Sequence, residues 1–178
     1  MNVGGTLKGT GTAGSIYNLG TVNPGNSPGT IHVTNNYSDQ GIYQVELQNK
    51  DSYNKIVVSP TGTVNVSDAQ LAVVLYNDWK ITAGDTFTII DNQGTQPIGG
   101  TYEGLAEGAR FSVDGATFSI SYVGGDGNDL VLTAVNTVSA PNTGVLQIVK
   151  GNPLVVLALG IVSVVAIAAI SFRRKSTR

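Results

Sequence analysis

The chain has 178 residues, of which 12% are charged, and its formal net charge is −2 at pH 7. A chain with this balance lacks the basic face that nucleic-acid binding requires, which argues against that class of partner. The chain contains no cysteine, and this excludes a disulfide framework and thiol chemistry.

The first segment, residues 1–29, is rich in Gly, Thr, Asn and Pro and contains few apolar residues. This composition fits short strands joined by frequent turns, with a disordered linker as the alternative. Residues 1–5 show neither the charged start nor the apolar stretch of a signal peptide. We therefore expect this chain to be the C-terminal part of a longer protein.

From Thr30 onward apolar and polar residues alternate, as in Tyr43, Val45 and Leu47. Period two places each apolar set on one face of a strand, and turn-forming clusters of Asn, Gly and Asp separate the sets. Residues 68–76 could form a helix, but their β-branched residues and their alternation favour a strand. Many short strands predict an all-β exterior domain over residues 1–135, either a sandwich or a solenoid.

Residues 20–31 read GTVNPGNSPGTI, which resembles the Leu-x-Pro-Gly-Asn-Ser-Pro-Gly-Thr-Leu signature of autotransporter-associated β-strand repeat regions. Further motifs follow in the order of that family over residues 15–134, at positions 43–46, 53–58, 84–91, 100–105, 108–111 and 120–132. The resemblance implies the end of a parallel β-helix and a surface stalk of the adhesin type, with no catalysis and no cofactor. The autotransporter β-barrel does not follow these motifs here; a different tail stands in its place.

A solenoid grows by stacking, and its open end would expose strand edges. A β-rich block with large side chains would close that end. We expect this cap to use Trp79, Phe87, Phe111, Phe118 and Tyr122.

One candidate metal ligand is Asp129. Residues 124–132, GGDGNDLVL, fit a single copy of the calcium-binding nonapeptide, in which this aspartate would bind the ion. That kind of site needs tandem copies because adjacent turns share each ion. A tight turn between two strands is therefore the favoured interpretation, and no metal site is predicted.

Three other polar residues are expected at the surface. His32 is the only histidine and alternates with Ile31 and Val33, so it should face solvent. Glu103 and Glu107 could be imagined as a glycosidase pair, but their Gly-rich setting favours surface charges. No catalytic residues are predicted.

Residues 136–153 form a predicted linker that contains a short motif: Ala140, Pro141, Asn142, Thr143 and Gly144. An apolar run without charge follows from Leu154 to Phe172, about 19 residues, which as a helix spans about 28 Å. This length is close to the ~30 Å hydrocarbon core of a bilayer, so a transmembrane helix is predicted rather than a buried soluble helix.

A basic cluster closes the chain after the apolar run: Arg173, Arg174, Lys175 and Arg178. By the positive-inside rule, residues 173–178 should be cytoplasmic and the N-terminal part should lie outside the cell. The order of motif, apolar run and basic end resembles the Leu-Pro-x-Thr-Gly sorting signals that sortases cut, with Ala140 in place of Leu. The resemblance implies that a sortase joins Thr143 to a cell-wall peptide or to another subunit.

Two alternatives remain for the tail, an uncleaved single-pass anchor and a related sorting system of the exosortase type. The sequence offers no set of polar residues from which a catalytic pocket could be built, so an enzyme is the least favoured function for the exterior domain. Two other functions remain. One is a structural stalk; the other is a module that binds a glycan or a host protein. Exposed aromatic residues on one face would favour the second, and the candidates are Tyr37, Tyr43, Tyr53 and Trp79.

Overall fold

A computed structural model of the protein describes residues 2–76, 80–136 and 147–149. These residues contain fifteen strands and, within the described ranges, no helix. The strands are β1 (Asn2–Gly9), β2 (Gly11–Ala13), β3 (Ile16–Pro24), β4 (Thr30–Val33), β5 (Tyr37–Asp39), β6 (Ile42–Asn49), β7 (Ser52–Tyr53), β8 (Lys55–Val58), β9 (Val64–Asn65), β10 (Gln70–Leu75), β11 (Thr86–Asn92), β12 (Arg110–Val113), β13 (Ala116–Gly124), β14 (Asp129–Asn136) and β15 (Gln147–Val149).

Most of these strands belong to three parallel ladders. In the first ladder the order is β1, β3, β6 and β10, and Leu7, Val22, Tyr43 and Leu71 are successive partners. The second ladder runs through β2, β4, β8 and β11. The third joins the start of β3 to β5 and β9. Successive segments of the chain therefore supply strands in the same order.

The C-terminal part pairs differently. Strand β14 lies antiparallel to both β11 and β13, and β12 is antiparallel to β13. We call β12, β13 and β14 the cap. The rings of the cap continue onto β11, because Phe118 lies 5.6 Å from Phe111 in the cap and 6.2 Å from Phe87 on β11, measured between ring centroids.

The inward side chains of the ladders and the cap form a single hydrophobic core. The partners Val22, Tyr43 and Leu71 are fully buried, whereas Leu7 on β1 is only partly buried. The predicted all-β class is confirmed, and the strand β10 confirms the preference for a strand over a helix in residues 68–76.

Several predicted features lie outside the described residues: Trp79, the motif at 140–144, the apolar run 154–172 and the basic cluster 173–178. Strand β15 falls within the segment predicted as a linker and pairs antiparallel with β10. Within the part of the chain that the structure describes, no helix has the length and apolarity needed to cross a bilayer.

Candidate functional site

The candidate calcium ligand Asp129 lies at the start of β14, and its carboxylate is bound by the end of β11. Its Oδ1 accepts a hydrogen bond of 2.9 Å from the backbone N–H of Asn92. A Cβ added at Gly125 would overlap its Oδ2, so the carboxylate folds back over the turn. Burial raises the pKa of Asp129, and the nearby Asp91 and Asp126 raise it further. Among the described residues no group of three or more His, Cys, Asp or Glu side chains could hold a metal ion.

The other singled-out residues are found at the surface. His32 is exposed, as predicted, and so are Glu103 and Glu107. Glu107 Oε2 accepts the backbone N–H of Tyr122 at 2.6 Å, which fixes the loop before β12 against β13. Glu103 Oε2 accepts a hydrogen bond of 2.9 Å from Gln70 Nε2. Each glutamate thus has a hydrogen-bond partner of its own.

A buried polar cluster, which the sequence analysis missed, surrounds Asp39. We call it the Asp39 cluster: Asn18, Tyr37, Asp39, Gly41 and Tyr102. Asn18 Nδ2 donates to Asp39 Oδ1 at 2.7 Å, and the Gly41 N–H donates to the same oxygen at 3.0 Å. The hydroxyls of Tyr37 and Tyr102 donate to Oδ2 at 3.0 and 3.4 Å. Both carboxylate oxygens therefore have two donors each.

The electrostatics of this cluster follow from its burial. Desolvation raises the pKa of Asp39, although the hydrogen bonds from Asn18 and Gly41 act in the opposite direction. Desolvation also raises the pKa values of Tyr37 and Tyr102 well above the ordinary tyrosine value, with the nearby Asp39 as the second cause. A tyrosine in its neutral form keeps its hydroxyl proton and can donate a hydrogen bond. The cluster therefore links β3, which contains Asn18, to β5, which contains Tyr37 and Asp39, and to Tyr102.

A local sequence signal could have revealed this cluster. Asn18 Oδ1 accepts the Gly20 N–H, Asp39 Oδ1 accepts the Gly41 N–H, and Asn65 Oδ1 accepts the Ser67 N–H, each at 3.0 Å. Each pair is an Asx turn, in which a side chain caps the backbone two residues later. The pattern Asn/Asp-x-Gly/Ser therefore marks the same corner in successive segments.

A second buried cluster surrounds Glu46, which is 1% exposed. Its Oε1 accepts hydrogen bonds from Asn23 Nδ2 at 3.0 Å and Gln44 Nε2 at 3.3 Å, while Oε2 has no hydrogen-bond partner among the described residues. Asn54 Nδ2 donates to Asn23 Oδ1 at 2.8 Å, and Asn54 Oδ1 accepts the Gly29 N–H at 3.1 Å. This cluster ties the turn at residues 25–29 to the two segments that follow it.

The signature turn at residues 25–29 has a steric basis. Gly25 has a φ of 89°, in the left-handed region that favours glycine. A Cβ at this position would overlap the backbone of Gly29, so the two glycines let the chain reverse within a short distance. The turn links β3 to β4 and thereby the first ladder to the second.

An open groove of about 320 Å³ lies at one corner of the ladders. We call it the corner groove. It is lined by residues 4–6, 19–21 and 40–42, together with Asp68 and Gln70. Tyr17 stands beside it, 38% exposed, and its hydroxyl donates to Gln40 Oε1 at 2.7 Å.

The aromatic residues that would favour a binding face are mostly internal. Tyr37 and Tyr43 are 1% and 0% exposed, and Tyr43 donates to the carbonyl oxygen of Ile89 at 2.7 Å. Tyr53 is half-buried against Phe87, at 5.4 Å between ring centroids. The described members of the predicted set therefore do not form an exposed aromatic face.

No protein-family model matches the chain, and no curated protein matches it either.

Proposed function

We propose that this chain is the end of a β-solenoid stalk of a non-catalytic, adhesin-type bacterial surface protein, held at the cell by its C-terminal tail. The observation that most supports the proposal is the repeated order of strands in three parallel ladders. Stacked strands of this kind form long rigid bodies that keep an upstream region away from a surface.

The stack and the cap support the solenoid interpretation together. Ile31, Ile56 and Ile90 are successive partners in the second ladder, although the number of residues between them differs. A solenoid keeps its ladder register and varies its loops in this way. The antiparallel cap would then cover the last stacked segment and prevent edge pairing there.

The ladders also leave strand edges open at the end opposite the cap. Within the described residues, β1 pairs only with β3 and β2 only with β4. Their outer edges carry backbone groups that could pair with another parallel segment. Leu7 and Ala13 are only partly buried there, and one more segment would cover them.

The tail is proposed to attach the stalk. Residues 154–172 would cross the membrane, with the basic cluster 173–178 in the cytoplasm. A sortase cysteine would attack the carbonyl carbon of Thr143, the bond to Gly144 would break, and Gly144 would leave as a free amine. A cell-wall amine would then displace the cysteine and form an amide with Thr143. An uncleaved single-pass anchor is the alternative.

The attachment is tested by mass spectrometry of protein released from cells by cell-wall hydrolases. We expect a C-terminal peptide that ends at Thr143 and carries a wall fragment. Thr143→Ala should abolish this product, whereas Asn142→Ala, at the variable position of the motif, should retain it. A peptide that continues through Arg178 and occurs only in membranes would contradict sortase processing and establish the permanent anchor.

The solenoid is tested separately with introduced cysteines, since the chain has none of its own. Thr12 and His32 are exposed partners on neighbouring strands, which lie about 4.8 Å apart. Spin labels at Thr12→Cys and His32→Cys should show strong dipolar broadening. Labels at Thr12→Cys and Ser112→Cys, on a ladder and on the cap, are the control and should show none. Absence of broadening in the first pair would contradict the stacked order.

A further inference from the structure

We propose that the corner groove binds a neutral oligosaccharide that lies across the strands. This role goes beyond that of a stalk, and it does not depend on how the tail is attached. It rests on the shape of the groove, on one exposed ring and on the chemistry of the side chains around it.

The shape of the groove fits an extended polymer. Its lining comes from four successive segments, at residues 4–6, 19–21 and 40–42 and at Asp68 and Gln70. Strands in a ladder lie about 4.8 Å apart, so the groove runs for about 14 Å along the stack. Glycines at positions 4, 5, 20 and 41 contribute backbone and no side chains to its lining. A short chain of sugar rings fits such a shallow, elongated depression.

An apolar surface is available at its rim. Tyr17 and Leu19 are 38% and 39% exposed, and they belong to the few large apolar residues that are exposed in the described part of the chain. The hydrogen bond from the Tyr17 hydroxyl to Gln40 Oε1 restrains the ring beside the groove. A tyrosine ring offers a broad apolar face and a polar tip, and the C–H face of a sugar can stack on such a ring.

The polar lining suits hydroxyl groups. Gln40 and Gln70 carry amides that both donate and accept hydrogen bonds, and Asp68 carries a carboxylate that accepts them. Gln70 is held by its bond to Glu103 Oε2 at 2.9 Å. A sugar hydroxyl also donates and accepts, so it can use an amide or a carboxylate with equal ease. Restrained polar groups around a shallow groove therefore match a polyhydroxylated ligand.

Other ligand classes fit less well. The described lining includes no lysine or arginine, and Asp68 would repel an anion. A peptide that adds a strand needs a free edge, but the inner strands of the groove offer none, because Thr21 and Ile42 are already paired on both sides within the ladder. A strand could add only at the outer edge of β1, where it would extend the ladder and not lie in the groove. An apolar ligand would find only Leu19 and part of Ile42. A neutral saccharide is the class that remains.

The test uses saturation-transfer NMR on the full chain in a detergent without a sugar headgroup. The probes are cellohexaose, maltohexaose and chitohexaose, with a hyaluronan hexasaccharide as the anionic comparison. We expect saturation transfer to at least one neutral probe. Transfer only to the hyaluronan probe, or to none of the four, would overturn the proposal.

Variants then locate the site. Tyr17→Ala and Gln40→Ala should each weaken binding by about tenfold or more, equivalent to about 1.4 kcal/mol. Tyr17→Phe keeps the ring and should retain most of the affinity, and Ser112→Ala on the cap is the distant control. Circular dichroism melting checks that each variant is folded. Unchanged binding by folded Tyr17→Ala and Gln40→Ala would overturn the assignment, while the wall-release experiment would be unaffected.

Discussion

The ladders and the cap both contain strands with alternating apolar residues, but they differ in where each strand finds its partner. In the ladders each strand finds its partner in a distant segment, whereas in the cap β12 and β13 are neighbours joined by Asp114 and Gly115. The ladders also bury polar side chains at their corners: Asn18, Asn23, Asp39, Glu46 and Asn54. The cap instead stacks the rings of Phe111 and Phe118 at 5.6 Å between centroids.

This difference teaches where each region needs specific chemistry. A chain that turns a corner leaves backbone groups without ladder partners, and buried Asx turns satisfy them. A hairpin satisfies its own backbone through the neighbouring strand, so it needs fewer buried polar side chains for that purpose. We therefore expect cavity formation to damage the cap most and steric or polar changes to damage the ladders most.

The largest effect should come from the cap core. Phe118 is 0% exposed and lies between Phe111 and Phe87. Phe118→Ala should lower the free energy of unfolding by about 3–5 kcal/mol because it leaves a large cavity. Chemical denaturation measures the change in the free energy of unfolding, with Val123→Ala, exposed at 60%, as the control. A loss below about 1 kcal/mol would contradict the packing described here.

Hydrogen exchange on Phe118→Ala would sharpen the comparison of the cap with the ladders. Faster exchange in β13 but not in β6 would mean that the two regions unfold separately.

The next effect concerns a ladder corner where two glycines face Asn35. A Cβ at Gly62 would overlap the carbonyl oxygen of Asn35, whereas a Cβ at Gly14 would meet only Asn35 Nδ2, at 3.9 Å. Gly62→Ala should cost about 1–3 kcal/mol, as overpacking typically does, and Gly14→Ala should cost much less. Thermal unfolding of the matched pair checks this. Equal melting temperatures would show that the corner is looser than the structure indicates.

An effect of similar size should come from the contact between the cap and the loop at residues 100–108. The Tyr122 hydroxyl donates to the Leu105 carbonyl at 2.7 Å and accepts the Tyr102 N–H at 2.9 Å, and burial raises its pKa to about 12. Tyr122→Phe leaves that N–H without its partner, which should cost about 1–3 kcal/mol. The exposed Tyr17→Phe is the control in the same denaturation assay. If the two variants were equally stable, the loop would not depend on this bond.

The smallest effect is a pH dependence of the ladders. Burial raises the folded-state pKa of Asp39, so the folded protein holds its proton to higher pH than the unfolded chain does. The stabilisation is fully present below the ordinary carboxyl pKa of about 3.9 and is lost as pH rises through the raised value. Asp39→Asn removes this titration, so wild type should lose stability relative to the variant across that window.

The pH series needs a variant that keeps the carboxyl. Tyr37→Phe removes one donor to Asp39 but leaves the titrating group, so its pH dependence should remain. A constant difference between wild type and Asp39→Asn at every pH would show that Asp39 is not the group responsible.

The sequence predicted the strands but not their partners. Alternation assigns a face to Tyr43 or Ile56, yet it does not say which strand lies beside either, because parallel partners come from distant segments. The turn at residues 25–29 and the exposure of His32 were accessible from local patterns. The burial of Tyr37 and Tyr43 was not, because it depends on two acceptors, Asp39 and the Ile89 carbonyl, that only the assembled ladders bring close.

The candidate groove was equally hidden from the sequence. Tyr17 and Gln40 are far apart along the chain, and only the pairing of β3 with β5 places them side by side. The tail motif and the apolar run were recognisable as linear patterns, and they remain predictions because they lie outside the described residues.

The tip between β6 and β7 gives the molecule a practical use. Lys50 and Asp51 form an ion pair there whose side chains are 66% and 75% exposed, and the ladder continues on either side through β6 and β8. Exposed loop tips are the places where insertions are tolerated, since they disturb no buried backbone hydrogen bonds. A foreign peptide inserted between these residues would project from the side of the stack, which makes the protein a candidate scaffold for presenting epitopes.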